Sequence, residues 1–144
     1  MAILKVSLTK YIIHDTIQIR GVMMEINSLL EWTLLGECKV PADVNNLLTD
    51  SEEAIAAYKT FRDTAIFTNK RIIMRDAQGI TGKKAEVYSI PYDSILIWST
   101  ENAGMLDINS EVCLWTRLGN FKIKLSKGVD VRAFDKLIAN YVLR

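Results

Sequence analysis

One histidine and two cysteines among 144 residues leave little for metal or nucleophilic chemistry to use. Cys38 and Cys113 have no second Cys or His at a zinc-ligand spacing, so each reads as a buried thiol, and nothing calls for a disulfide between them. His14, the one histidine available as a base, lies in the N-terminal segment that reads as an extension, so nucleophilic catalysis is not expected. Charge of one sign is also lacking. Eighteen Lys and Arg against 17 Asp and Glu give a net charge of +1, without the basic excess on which nucleic-acid binding draws. Long apolar runs are absent as well, because Lys5, Lys10, His14, Asp15 and Arg20 interrupt the first 21 residues, which excludes a signal-peptide core or a membrane span there. The expectation is a cytoplasmic protein, kept reduced, with no nucleic-acid partner.

What remains is apolar and evenly charged. The length suits one domain with a single core. Mean hydropathy is +0.11, high for a chain without a membrane segment, and a subunit interface would use the surplus apolar surface. Residues 1–24 read as an N-terminal extension, with Met23 and Met24 as alternative starts, and residues 25–144 as the domain. Ile26, Leu29, Leu30, Thr33 and Leu34 recur at near-helical spacing before Gly36, predicting a helix from about Glu25 to Leu35. A second short helix is predicted from Pro41, with Val44, Leu47 and Leu48 on one side, completing a helical lead-in over residues 25–51.

From Glu52 the pattern shifts to short β-like runs divided by turn residues. These run from Ile55 to Phe61, Thr64 to Thr68, Arg71 to Arg75, Ala85 to Ile90, Ser94 to Thr100, Glu111 to Leu118 and Asn120 to Leu125. The first is Ala-rich, and its helical propensity competes with its context. Short connections predict antiparallel neighbours, and seven such strands over residues 52–126 predict a mainly β, open antiparallel barrel. Residues 129–143 then take a helical period, with Val131, Phe134, Leu137, Ile138, Tyr141 and Val142 on one stripe. Asp130 is the expected N-cap, Arg132, Asp135, Lys136 and Asn140 form the polar side, and the stripe is expected to close the barrel's open end.

Two runs, Ile95-Leu96-Ile97-Trp98 and Val112-Cys113-Leu114-Trp115, are apolar on both sides of the pleat, where a strand facing water would alternate. Either helices cover the second face or another subunit does. Ile95, Ile97, Trp98, Val112, Leu114 and Trp115 are the candidate interface residues.

Several motif fragments fail on inspection. Gly79-Ile-Thr-Gly82-Lys83-Lys84 lacks the Gly that a phosphate loop needs at Ala77 and the Ser or Thr it needs at Lys84, and it leads into a strand. Asp107-Ile-Asn109-Ser-Glu111 begins like a calcium loop but has Val112 and Leu118 where Gly and Glu are required. No catalytic residue, cofactor or metal is expected, and the chain does not read as an enzyme.

The stretch from Tyr58 to Ile73, with Gln78-Gly-Ile-Thr-Gly-Lys-Lys, Ser89-Ile-Pro-Tyr, Glu101-Asn-Ala-Gly, Asp107 and Glu111, resembles the bacterial pleckstrin-homology-like family. The resemblance extends from about Leu29 to the C-terminus and leaves residues 1–22 outside it. It implies seven strands and a C-terminal helix, in agreement with the pattern above. It further implies a ring of identical protomers, expected to be five because the sequence reaches Arg144 directly after its first C-terminal helix. No activity is implied. A polar surface where neighbouring protomers meet is implied to bind another protein, with Arg62, Asp63, Thr68, Asn69, Lys70 and Arg71 as candidate contacts and Lys83 and Lys84 as weaker ones. Against this stand a plain tight turn at Asn69-Lys70 and a local ion pair between Arg62 and Asp63. The alternative reading, a binder of anionic membrane lipids, is weakened by the short Arg62-Asp63 hairpin with an acid in half of it.

Overall fold

Period-two alternation carries most of this fold. The computed structural model describes residues 31–78, 84–103, 105 and 109–144, and among these nine strands form two sheets. They are β1 (Glu31–Leu34), β2 (Gly36–Cys38), β3 (Ala54–Lys59), β4 (Thr64–Thr68), β5 (Arg71–Gln78), β6 (Lys84–Pro91), β7 (Ile97–Glu101), β8 (Ser110–Thr116) and β9 (Gly119–Leu125). Short 3-10 helices span Ala42–Asn46 and Tyr92–Ser94, and helix α1 spans Val131–Val142. One sheet has the order β2-β3-β4-β5-β6 and the other β1-β9-β8-β7.

The seven runs anticipated after Glu52 are β3 to β9, and within each sheet they pair antiparallel with their sequence neighbours. The Ala-rich run is a strand after all, since its small Ala57 packs beneath Val44 of the first 3-10 helix. β6 and β7 do not pair. The Tyr92–Ser94 turn carries the chain from one sheet to the other, which leaves the architecture open along that side.

The first lead-in helix is a misreading wherever it can be seen. Residues 25–30 lie outside the described residues, but Glu31–Leu34 is a strand. Trp32 and Leu34 are buried while Glu31 and Thr33 face outward, a period of two. β1 lies parallel to β9, with Trp32 beside Ile123 and Leu34 beside Leu125, and this tertiary pairing overrides the helical spacing of the leucines. Gly36 ends no helix. It opens β2 opposite Lys59. The second short helix is present, with Pro41 as its N-cap, and Val44, Leu47 and Leu48 cover Ala57, Ile66 and Ile73 on the outer face of the five-stranded sheet.

Between the sheets lies the main core, including Phe67, Ile72, Met74, Val112, Leu114, Ile123 and Leu125. Helix α1 closes it with Phe134 and Ile138, both fully buried. The Phe134 ring meets Tyr58 and Phe67 edge-on, with centroids 5.6 and 5.3 Å apart. Burying each such side chain stabilises the fold by roughly 1.5–3 kcal/mol. Asp130 caps the helix as its position predicts, accepting the N–H groups of Arg132 and Ala133 at 3.0 Å each. Asp135 belongs to the contact rather than to a free polar side. Its carboxylate accepts the Trp98 indole N–H at 3.0 Å and the Thr100 hydroxyl at 2.6 Å, fixing α1 to β7.

Of the six residues anticipated as subunit interface, Ile95, Val112 and Leu114 are buried in this core and Trp98 is half-buried against it. Ile95, Val112 and Leu114 therefore present no open face in the folded protomer, and Trp98 presents only part of its surface. Ile97 and Trp115 do remain outside. They are register partners on β7 and β8, 63% and 38% exposed, and no helix among the described residues covers them.

Candidate polar surface and grooves

Strand β4 separates the anticipated polar residues into two groups. Arg62 and Asp63 lie in the β3–β4 hairpin, Thr68 ends β4, and Asn69 to Arg71 form the turn into β5 at the opposite end. Lys84 begins β6, at the hairpin end, while Lys83 lies outside the described residues. Within one protomer the seven described residues of the set therefore fall at the two ends of β4.

At the turn, polarity serves the fold. Glu52 is buried, and its carboxylate accepts from Arg71 Nε at 2.9 Å and Nη2 at 3.1 Å, from the Thr68 hydroxyl at 2.9 Å and from the Thr49 N–H at 2.9 Å. The Arg71 hydrogen bonds chiefly hold this carboxyl down to about 2, against the opposing effect of burial, with Thr49, Thr68 and the Arg71 charge adding to the depression. Arg71 also donates to the Leu47 carbonyl at 2.6 Å and to Ser89 Oγ at 2.9 Å, so one guanidinium joins β5, β6 and two points of the preceding loop. Thr68 Oγ1 accepts the N–H groups of Lys70 and Arg71, which shapes the tight turn.

The neighbouring side chains are committed in the same way. Asn69 accepts from the Glu53 N–H and donates to the Ser51 carbonyl, and Lys70 Nζ reaches the Asp50 carbonyl at 2.8 Å. The Tyr92 hydroxyl donates to the Thr68 carbonyl, and burial pushes its phenol well above the usual range. Tyr92 stacks on Tyr141 of α1, and Arg144 lies over the Tyr141 ring while donating to the Asn69 carbonyl. The turn reading of Asn69-Lys70 is thus realised. Glu52 and Tyr92 are the members that the sequence reading missed. A lone acid before a strand carries no local mark of burial.

At the hairpin end, Arg62 and Asp63 each reach β5 instead of each other. Arg62 approaches Asp76 at 3.4 Å, and Asp63 pairs with Arg75 at 3.3 Å, where Asp43 joins at 3.1 Å. The Arg62 side chain stays 64% exposed. A groove of about 580 Å³ opens here between β1, the hairpin, β5 and β6, with Trp32, Phe61 and Tyr88 among its walls. A second groove of about 460 Å³ lies beyond it, between Ser89–Ser94 and the β8–β9 turn.

Among the described residues no three His, Cys, Asp or Glu side chains gather as metal ligands would, and no helix is long and apolar enough to cross a membrane. Burial raises the Cys38 and Cys113 thiols above their ordinary value, which disfavours the reactive thiolate.

A family model described as "Bacterial PH domain" matches residues 24–142. The uncharacterised protein YjqA of Bacillus subtilis is 46% identical over 81 residues, which span 56% of this chain and 65% of YjqA, just under two thirds of that relative. The uncharacterised YozO of the same organism is 31% identical over 67% of this chain and 83% of its own length. Among solved structures, a pleckstrin-homology-domain protein from Shewanella loihica superposes with a TM-score of 0.67 at 36% identity, covering 75% of this chain and 98% of its own. A pleckstrin homology domain from Shewanella amazonensis gives 0.60 at 41% identity, over 72% and 85% of the two chains. A PH-domain protein from Exiguobacterium sibiricum gives 0.56 at 20% identity, over 78% of this chain and 62% of its own, a likeness of fold alone.

Proposed function

The chain belongs to the bacterial PH domain family, and from that premise we propose that it is a non-enzymatic, cytoplasmic interaction module whose copies assemble into a ring of five. The observation that carries the reading is the exposed pair Ile97 and Trp115 on β7 and β8, with no strand among the described residues pairing with the outer side of β7. Among the described residues nothing covers the apolar pair or the strand edge, and copies of the same chain are the economical cover.

The partner protein is bound, on this reading, at the hairpin end. Arg62 and Lys84 keep their charges exposed there, near the larger groove. The polar side chains of the β4–β5 turn are tied to residues 47–53, Thr68 and Arg71 through Glu52, and serve the module by shaping it. Sedimentation equilibrium is the test. A single species near five times 16.3 kDa supports the ring, and a monomer at micromolar concentration overturns it. Affinity capture from native cells with wild-type protein and with Arg62→Glu then tests the partner site. The expected result is one or a few proteins lost on substitution, and an identical set retained by both baits removes the site.

A further inference from the structure

The described chain starts in a wall of the larger groove. Strand β1 begins at Glu31, which lines that groove with Trp32 and Thr33, and residues 1–30, which precede it, lie outside the described residues. β1 stands at the end of its sheet, with β9 on one side and no strand among the described residues on the other. Aromatic side chains form much of the groove. The Tyr88 ring meets Trp32 edge-on at 5.6 Å, and Phe61, in the β3–β4 hairpin, is 77% exposed. Of the five ionisable residues on the walls, Glu31, Asp76 and Glu86 are acidic, while Arg75 is held by Asp63 and Asp43.

The preceding sequence has the matching character. Thr16-Ile17-Gln18-Ile19-Arg20 alternates strictly, the pattern of a strand with one apolar side, and sets Ile17 and Ile19 on that side about 7 Å apart. Residues 1–24 carry Lys5, Lys10 and Arg20 against Asp15 alone, opposite in sign to the acidic surplus of the groove. We infer that residues 16–20 of the same chain occupy the larger groove, lying along the free side of β1 with Ile17 and Ile19 against Phe61, Trp32 and Tyr88. Residues 21–30 are the tether, long enough to reverse direction, with Gly21 where the turn begins. A tether so short holds the occupant at an effective concentration on the order of millimolar, so even a weak contact fills the groove. The added backbone takes the hydrogen bonds that the edge of β1 otherwise offers to any strand. A chain begun at Met23 or Met24 lacks the occupant and presents an open groove. The consequence, that the segment shuts out the partner protein, rests on the hairpin-end site proposed above, whereas the occupancy itself does not.

The test is hydrogen exchange of the full chain, read by mass spectrometry across a protein concentration series, for wild type, Ile17→Asp/Ile19→Asp and Phe61→Asp. In wild type, residues 16–20 should exchange roughly ten-fold or more slowly than a free peptide of the same sequence, as edge-paired backbone does. Ile17→Asp/Ile19→Asp should speed exchange several-fold at Glu31–Leu34 and at residues 60–62, and Phe61→Asp should do the same at residues 16–20. Strands β4 and β8 should exchange as in wild type in both variants, which separates loss of the contact from misfolding. Free-peptide rates at residues 16–20 in wild type, or protection there that Phe61→Asp leaves intact, overturn the inference. Protection that fades on dilution overturns it too, by assigning the groove to a second copy's segment. Partner capture from native cells separates the two readings, with a several-fold rise expected for Ile17→Asp/Ile19→Asp. Reciprocal exchange effects with capture unaltered keep the occupant and remove the hairpin-end partner site. A partner lost on Arg62→Glu, with residues 16–20 unprotected, keeps that site and removes the occupant.

Discussion

Arg71 grips Glu52 with two donors, Nε at 2.9 Å to one carboxylate oxygen and Nη2 at 3.1 Å to the other, across 19 residues of sequence. The acid side chain is 1% exposed and its partner 23%. A planar two-pronged bond of this kind fixes direction as well as distance, and here it pins the loop before β3 to the start of β5.

Arg71→Ala should therefore cost about 3–5 kcal/mol, because it strands a carboxylate inside the protein. The measurement is the urea midpoint. Arg71→Lys should recover only part of the loss, since a lysine cannot offer the parallel pair of donors. Removing both charges with Glu52→Gln and Arg71→Met should cost less than Arg71→Ala alone. Midpoints equal to that of wild type in all three variants would show that the pair does nothing for stability.

Acid should weaken the fold through the same group. An ordinary glutamate titrates near 4.5, whereas Glu52 in the folded chain is held to about 2. A depressed folded value means that the contribution is complete above the ordinary value and fades as pH falls toward 2. Its size is about 3 kcal/mol. Thermal melts between pH 6 and pH 2.5 should fall more steeply for wild type than for Glu52→Gln. Parallel slopes would assign the acid sensitivity to other carboxylates.

Helix α1 should loosen when Asp135 is removed. Asp135→Ala takes the shared acceptor from the Trp98 indole and the Thr100 hydroxyl, an expected loss of about 1–3 kcal/mol with a red-shifted tryptophan emission. Asp135→Asn keeps one acceptor oxygen and should lose less. An unaltered emission maximum in Asp135→Ala would mean that the helix is held by its apolar stripe alone.

Much of the fold is legible residue by residue. Phe134, Ile138 and Asp130 announce α1 through spacing and capping chemistry, and both are visible within one segment. β3 to β9 are readable from alternation and turns, and the Thr68–Arg71 turn from its residue types. β1 is illegible for a definite reason. Its partner is β9, with Glu31 set beside Lys122, and a parallel pairing across the whole domain leaves no local signature to outweigh the helical spacing of Leu29, Leu30 and Leu34. The doubly apolar runs were ambiguous in a similar way, since which of Ile95, Ile97, Leu114 and Trp115 faces water depends on where the second sheet lies.

The amino-acid order alone determined the succession of strands from β3 to β9 and the final helix, because periodicity and capping act over a few residues. Only the tertiary structure decided that the strands divide into two sheets, that β1 lies parallel to β9, that Glu52 is buried beside Arg71, and that the described residues leave Leu118 and Ile97 exposed. Each of those depends on segments brought together through space, and the energy of burying or exposing a side chain belongs to the neighbours it meets.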